Sequence, residues 1–184
     1  LGASYPHNHD CTVADLERKG ARFVYVALRH PVERIASGVK RRLEMHQNDQ
    51  PNQQFVDTFH GADAMNSYIR AIQDHTHPQH AVALQCTLGR MRQAYMLPVS
   101  EFYLAGSMNK ANILFVCTDT LIADFNAQAA RWDLPLKVVP NTSLIHHKSY
   151  ARLNVLGPAQ RMWIHRTYHR DVALWHTHCN HTQK

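Results

Sequence analysis

Residues 23 to 42 read FVYVALRHPVERIASGVKRR, and this stretch decides the fold. Ala21 to Leu28, beginning with Ala21 and Arg22 just ahead of it, form a near-continuous apolar run rich in β-branched and aromatic side chains. Such a run predicts a strand buried on both faces of a parallel sheet. Pro31 follows two residues after Arg29. A proline at a first helical position is pre-organised and forfeits no needed hydrogen bond. A helix is therefore predicted from near His30, through Val32, to about Met45. Arg29 then stands at the carboxyl end of a strand, just ahead of a helix start. Ligands of open α/β sheets bind at that edge, and a helix start offers N–H groups and a positive dipole end to anions.

Working outward, Thr12 to Lys19 predict a short helix closed by Gly20. Residues 46–54 are polar and read as loop. Residues 55–73 read as one helix with Phe55, Phe59, Met65, Tyr68 and Ile72 inward. Residues 75–80 break around Pro78, 81–96 read as a further helix, and Leu97 to Leu104 as extended chain. Asn112 to Thr118 form a second buried-strand candidate. It leads into a helix with Leu121, Ile122, Phe125, Ala129 and Trp132 on one face. Residues 133–157 read as mostly loop. Gly157-Pro158 opens a last helix with Ile164, Tyr168, Val172 and Trp175 aligned. Strands followed by helices, twice, argue for an α/β layered domain. We expect a single domain over residues 1–184, with a central parallel sheet of about four or five strands and helices on both sides.

Composition narrows the function classes. The chain has 184 residues, is 45% hydrophobic and 18% charged, and contains no apolar run long enough to span a membrane. Its charge of +6 favours anionic partners. The four cysteines, Cys11, Cys86, Cys117 and Cys179, include no CxxC pair and are too sparse for a disulfide scaffold. Cys117 lies in an apolar run and reads as a buried thiol, with one disulfide left open. Fifteen histidines raise the question of a metal. His75 with His77, and His176, His178, Cys179 and His181, have ligand chemistry for zinc or copper. Positions i and i+2 on a helix point apart, however, and we expect no metal.

At the strand-to-helix junction, the residues alone leave two readings open. Arg29 grips a phosphate with a bidentate fork and Ser37 adds its hydroxyl, or Arg29 pairs with Glu33 and Ser37 is a small packing residue. Here a family resemblance enters. The stretch resembles the 3′-phosphate-binding signature of sulfotransferases that use 3′-phosphoadenosine 5′-phosphosulfate (PAPS). Arg29, Pro31, Arg34 and Ser37 fall in register with that signature, while His30 stands where the family usually has Asp. The resemblance implies a three-layer, P-loop-like α/β fold, PAPS as donor, 3′-phosphoadenosine 5′-phosphate (PAP) as product, and Arg29 and Ser37 on the 3′-phosphate. Residues 112–125 resemble the family's later strand–helix unit, and Pro158 to Trp175, with Tyr168 and Asp171, its closing helix.

Within the family, the chain looks most like the Golgi-type carbohydrate sulfotransferases, above all the uronic-acid 2-O branch. There a His-x-His segment precedes the phosphate-binding arginine by about twenty residues, and His7-Asn8-His9 holds that place here. The resemblance makes His9 the base on the acceptor hydroxyl, with His7 as substitute. A neutral imidazole near pH 7 suits that task. Lys148, with His147 behind it, is the candidate basic contact from a loop over the nucleotide. Lys40, Arg41 and Arg42 continue the phosphate-site helix and are candidates to line an anionic acceptor groove, or else form a solvated face. Family members open with a Gly-rich loop that grips the 5′-phosphosulfate, and no such loop precedes Arg29. The expectation is that a strand and loop upstream of Leu1 supply it.

The expected partners are PAPS and a hydroxyl acceptor, a sugar in the first instance, with no nucleic acid, and a membrane only through an upstream anchor. Cytoplasm suits a bacterial enzyme and Golgi lumen a eukaryotic one. Two rivals stay open beside this reading: a non-catalytic module binding nucleotides or anionic glycans, and a P-loop kinase. The kinase lacks any visible nucleotide–magnesium motif.

Overall fold

The computed structural model describes residues 12–44, 50–88, 96–135, 137–138 and 156–179, with backbone only for 41–44, 50–52 and 86–88. Their elements run α1 (Val13–Arg18), β1 (Phe23–Leu28), α2 (Pro31–Glu44), α3 (Gln50–Thr58), α4 (Ala64–Gln73) and α5 (His80–Leu88). A π-helical turn (Val99–Tyr103), β2 (Asn112–Cys117), α6 (Leu121–Arg131), α7 (Pro158–Thr167) and α8 (His169–Cys179) follow. The chain is thus an α/β protein built on a parallel sheet. It divides into two compact units.

The first unit takes residues 1–29, 97–140 and 173–184. Its sheet pairs β1 with β2 in parallel, from Phe23 opposite Asn112 to Leu28 opposite Cys117. Among the described residues the sheet has these two strands, against the four or five expected. Alternation then sorts the side chains. On one face Val26, Leu28, Phe115 and Cys117 pack against Val99, Tyr103 and Leu104 of the π-turn region and against Leu174, Trp175 and Cys179 of α8. On the other face Tyr25 stacks on Phe125 of α6, centroids 4.4 Å apart, and Phe23 meets Trp132 edge-on. Both faces of the sheet are therefore covered by helical segments, as an apolar strand requires.

α1 begins where the sequence announces it. Thr12 and Asp15 form a reciprocal capping box, each side chain serving the other's backbone N–H. Gly20 ends the turn after it with φ +83°, a conformation open to glycine.

The second unit takes residues 30–96 and 141–172. Its core gathers Ile35 and Val39 of α2, Phe55 of α3, Phe59 just beyond it, Tyr68 and Ile69 of α4, and Ile164 of α7, all essentially solvent-free. Phe55, Phe59 and Tyr68 make a triangle of tilted and T-shaped ring contacts, 4.9–5.3 Å between centroids. Met65 is buried and Ile72 packs alongside, so the inward positions read from 55–73 all face this core.

Several boundaries differ from expectation. The helix expected over 55–73 is two helices, α3 and α4, separated at Gly61 with φ +77°. α3 starts at Gln50, inside the stretch read as a polar loop. Residues 99–103 form a π-helical turn rather than extended chain. The last helix breaks at Tyr168 into α7 and α8.

Candidate functional site

The site begins at the junction of β1 and α2. Two residues, Arg29 and His30, separate the strand from the helix, and Pro31 takes the first helical position. Arg34 N–H donates to the His30 carbonyl at 2.9 Å, closing the first turn. Along α2, Pro31, Ile35, Ala36 and Val39 are buried. Glu33 and Lys40 are exposed. Arg34 and Ser37, three residues apart and so neighbours on the helix surface, occupy the flank between these faces and are each half-buried.

Arg29 is half-buried and ends the first stretch of the first unit, while Ser37 belongs to the second unit. Arg41 and Arg42 fall in the last turns of α2, where the description covers backbone only. Lys40 is exposed, as either of its readings requires. His7, His9, His147 and Lys148 lie outside the described residues.

Sequence reasoning missed the use made of Arg34. Its guanidinium pairs with the Asp171 carboxylate at 2.9 Å, with side-chain exposures of 12% and 3%. The same guanidinium lies 5.7 Å from the centre of the Tyr168 ring, within cation–π range. The Tyr168 hydroxyl donates to the Met96 carbonyl at 2.7 Å. Burial pushes the Tyr168 phenol up to about 12. Asp171, the one acid of a segment otherwise supplied with His and Arg, is singled out beside Tyr168 by the family resemblance, but not as the partner of Arg34.

His30, in the place where the resembling family carries Asp, sets its ring 5.1 Å from that of His165 on α7.

Cys117 is not a free thiol. It forms a disulfide with Cys179, joining the carboxyl end of β2 to the last turn of α8. The reading of Cys117 as a lone buried thiol is corrected, because its apolar surroundings hold a second cysteine brought in from 62 residues away. With its sulfur so bound, Cys179 is no thiolate ligand for a metal. The neighbouring His178 packs its ring 4.2 Å from Phe115, and burial lowers its pKa, favouring the neutral imidazole. His77 accepts a hydrogen bond from Gln79 N–H at Nδ1, 3.1 Å away. Among the described residues, no three His, Cys, Asp or Glu side chains converge as a metal site.

Another buried acid, Glu17 of α1, serves the loop ahead of β2. Its carboxylate accepts N–H bonds from Met108, Lys110 and Ala111 and the Ser107 hydroxyl, at 2.6–3.1 Å. Burial alone would push this carboxyl up, but the four donors outweigh it and hold Glu17 below the usual carboxylate range.

Comparison with protein-family models, with characterised proteins and with solved structures gave no match.

Proposed function

We propose that this chain carries the 3′-phosphate-binding part of a PAPS-dependent sulfotransferase with a three-layer, P-loop-like α/β fold, acting on a carbohydrate hydroxyl. The observation that carries the reading is the β1–Arg29–Pro31–α2 element. A strand of a parallel sheet hands over in two residues to a proline-led helix, with Arg29 at the strand's carboxyl end and Ser37 on the helix. The covering of both sheet faces supports the layered fold.

In this reading Arg29 and Ser37 hold the 3′-phosphate of PAPS, and Lys148 with His147 adds a basic contact over the nucleotide. The acceptor oxygen attacks sulfur in line, the bond from sulfur to the bridging phosphate oxygen breaks, and PAP leaves. His9 takes the hydroxyl proton, with His7 as substitute. Lys40, Arg41 and Arg42 face an anionic sugar. Cationic or N–H donors at the 5′ side must stabilise charge gathering on the leaving phosphate, as sulfuryl transfer demands by analogy with phosphoryl transfer. The Cys117–Cys179 disulfide favours the Golgi-lumen alternative, since such bonds persist in oxidising compartments.

Calorimetric titration with PAP and with adenosine 5′-phosphate, on the chain and on a version extended upstream, tests the reading. PAP should bind in preference to adenosine 5′-phosphate, and Arg29→Ala should weaken PAP by tenfold or more, about the cost of a lost charge-assisted phosphate contact. Equal or absent binding of both nucleotides by both versions would overturn it. PAP or anionic-glycan binding without transfer by the extended version would favour the non-catalytic binding module. His9→Ala should lower turnover and leave PAP affinity nearly unchanged.

A further inference from the structure

We infer that Asp171 is a positioning residue for the phosphate-binding flank of α2, acting through Arg34; the inference rests on the donor site proposed above. Three observations within the second unit converge on it. The Arg34–Asp171 pair is direct, 2.9 Å, and nearly closed to solvent. Arg34 and Ser37 stand three apart on one flank of α2, so whatever fixes Arg34 fixes the helix surface that presents Ser37. The guanidinium also lies 5.7 Å from the centre of the Tyr168 ring, whose own hydroxyl is tied to the Met96 carbonyl. An arginine with a long flexible stem is thereby held from an acid and from an aromatic face together.

The chemistry gives this arrangement a purpose beyond cohesion. A guanidinium beside a phosphate-binding hydroxyl is a competitor for the phosphate. Its planar fork matches phosphate as well as carboxylate. Asp171 Oδ2 holds one nitrogen of that fork, Arg34 Nη2. The arginine is kept as a strut of α2, and the 3′-phosphate is left to Ser37 and Arg29. Asp171 therefore determines both where Ser37 stands and which arginine reads the phosphate. Asp171 touches no reacting atom in this scheme, and its effect is on donor affinity.

The test is PAP titration of wild type, Asp171→Asn, Asp171→Glu, Ser37→Ala and the Asp171→Asn/Ser37→Ala double variant, with circular dichroism as the fold check. Asp171→Asn should weaken PAP by about tenfold, and Asp171→Glu, which keeps the charge, should recover part of that. The double variant should bind little worse than the weaker single variant, because the two residues act on one contact. A merely structural acid would instead give effects that multiply.

Removing one member of a buried pair can unfold a protein, whereas replacing both with apolar groups is tolerated far better. Arg34→Met/Asp171→Leu therefore serves as the second probe and should stay folded yet lose PAP affinity to a similar degree. A folded Asp171→Asn or Arg34→Met/Asp171→Leu protein with wild-type PAP affinity overturns the inference and leaves the donor site standing. So do independent, multiplying effects with Ser37→Ala. Absence of PAP binding by wild type removes the donor site and the inference with it.

Discussion

Tyr168 has its hydroxyl on the Met96 carbonyl and its ring beneath Arg34, in a place 6% exposed. Tyr168→Phe keeps the ring and removes the hydrogen bond, leaving a carbonyl without that donor. The expected loss is about 1–2 kcal/mol of stability, read from chemical denaturation. The same residue gives an alkaline signature. Its folded pKa is raised to about 12 from the ordinary 10.0, first by burial. The neutral phenol's contribution is fully present below the unfolded value and is lost as pH rises through the folded one. The thermal midpoint of wild type should therefore fall between about pH 10 and 12 more steeply than that of Tyr168→Phe. Glu17 works in the opposite sense. Its folded pKa lies below the ordinary 4.5, because its four hydrogen-bond donors outweigh the burial that would raise it. Its contribution is present above the unfolded value and is lost as pH falls through the lower, folded one. Glu17→Gln should flatten the acid limb of the stability profile, and an unchanged limb would show that the 107–111 loop holds without the charge.

Elements show where the sequence was legible. The near-continuous apolar runs marked both strands, and Pro31 marked the start of α2, because these signals are local and need no partner. Gly61 is where locality ran out. The apolar spacing of 55–73 is compatible with one long helix, and only the positive φ at Gly61, imposed by packing α3 and α4 around the Phe55–Phe59–Tyr68 triangle, divides it. A Cβ at Gly61 would meet no atom within 4 Å, so the cost of Gly61→Ala is conformational alone. We expect about 1–2 kcal/mol, the penalty for an L-residue in the left-handed region, measured as a lower denaturation midpoint. The π-helical turn at 99–103 escaped for another reason. Val99, Phe102 and Tyr103 are residue types favoured in strands, and the segment's packing against Leu28 and Cys117 at the sheet's end comes from residues far away in the chain. Arg34 was visible as a motif position, but its partner lies 137 residues on, beyond any periodicity.

At the scale of the whole molecule, neither unit is a continuous piece of chain. The first is assembled from three stretches and the second from two. A split at 96/97 or 140/141 therefore leaves both units incomplete, while a split at 29/30 or 172/173 breaks the first unit alone; fragments from the first two cuts should fold poorly. The disulfide spans 62 residues of sequence within the first unit. In the chain-entropy view a closure of that length stabilises by about 4 kcal/mol. Cys179→Ser should lower the thermal midpoint of the oxidised protein, and reductant should lower the wild-type midpoint to match; a wild type indifferent to reductant would refute the bond.

That covalent ring also changes what a protease digest displays. A single nick anywhere from residue 118 to residue 178 would sever the backbone but not the molecule, because Cys117 and Cys179 would still bind the two pieces. Such a nicked sample would migrate as one band on a gel run without reductant and as two once reduced.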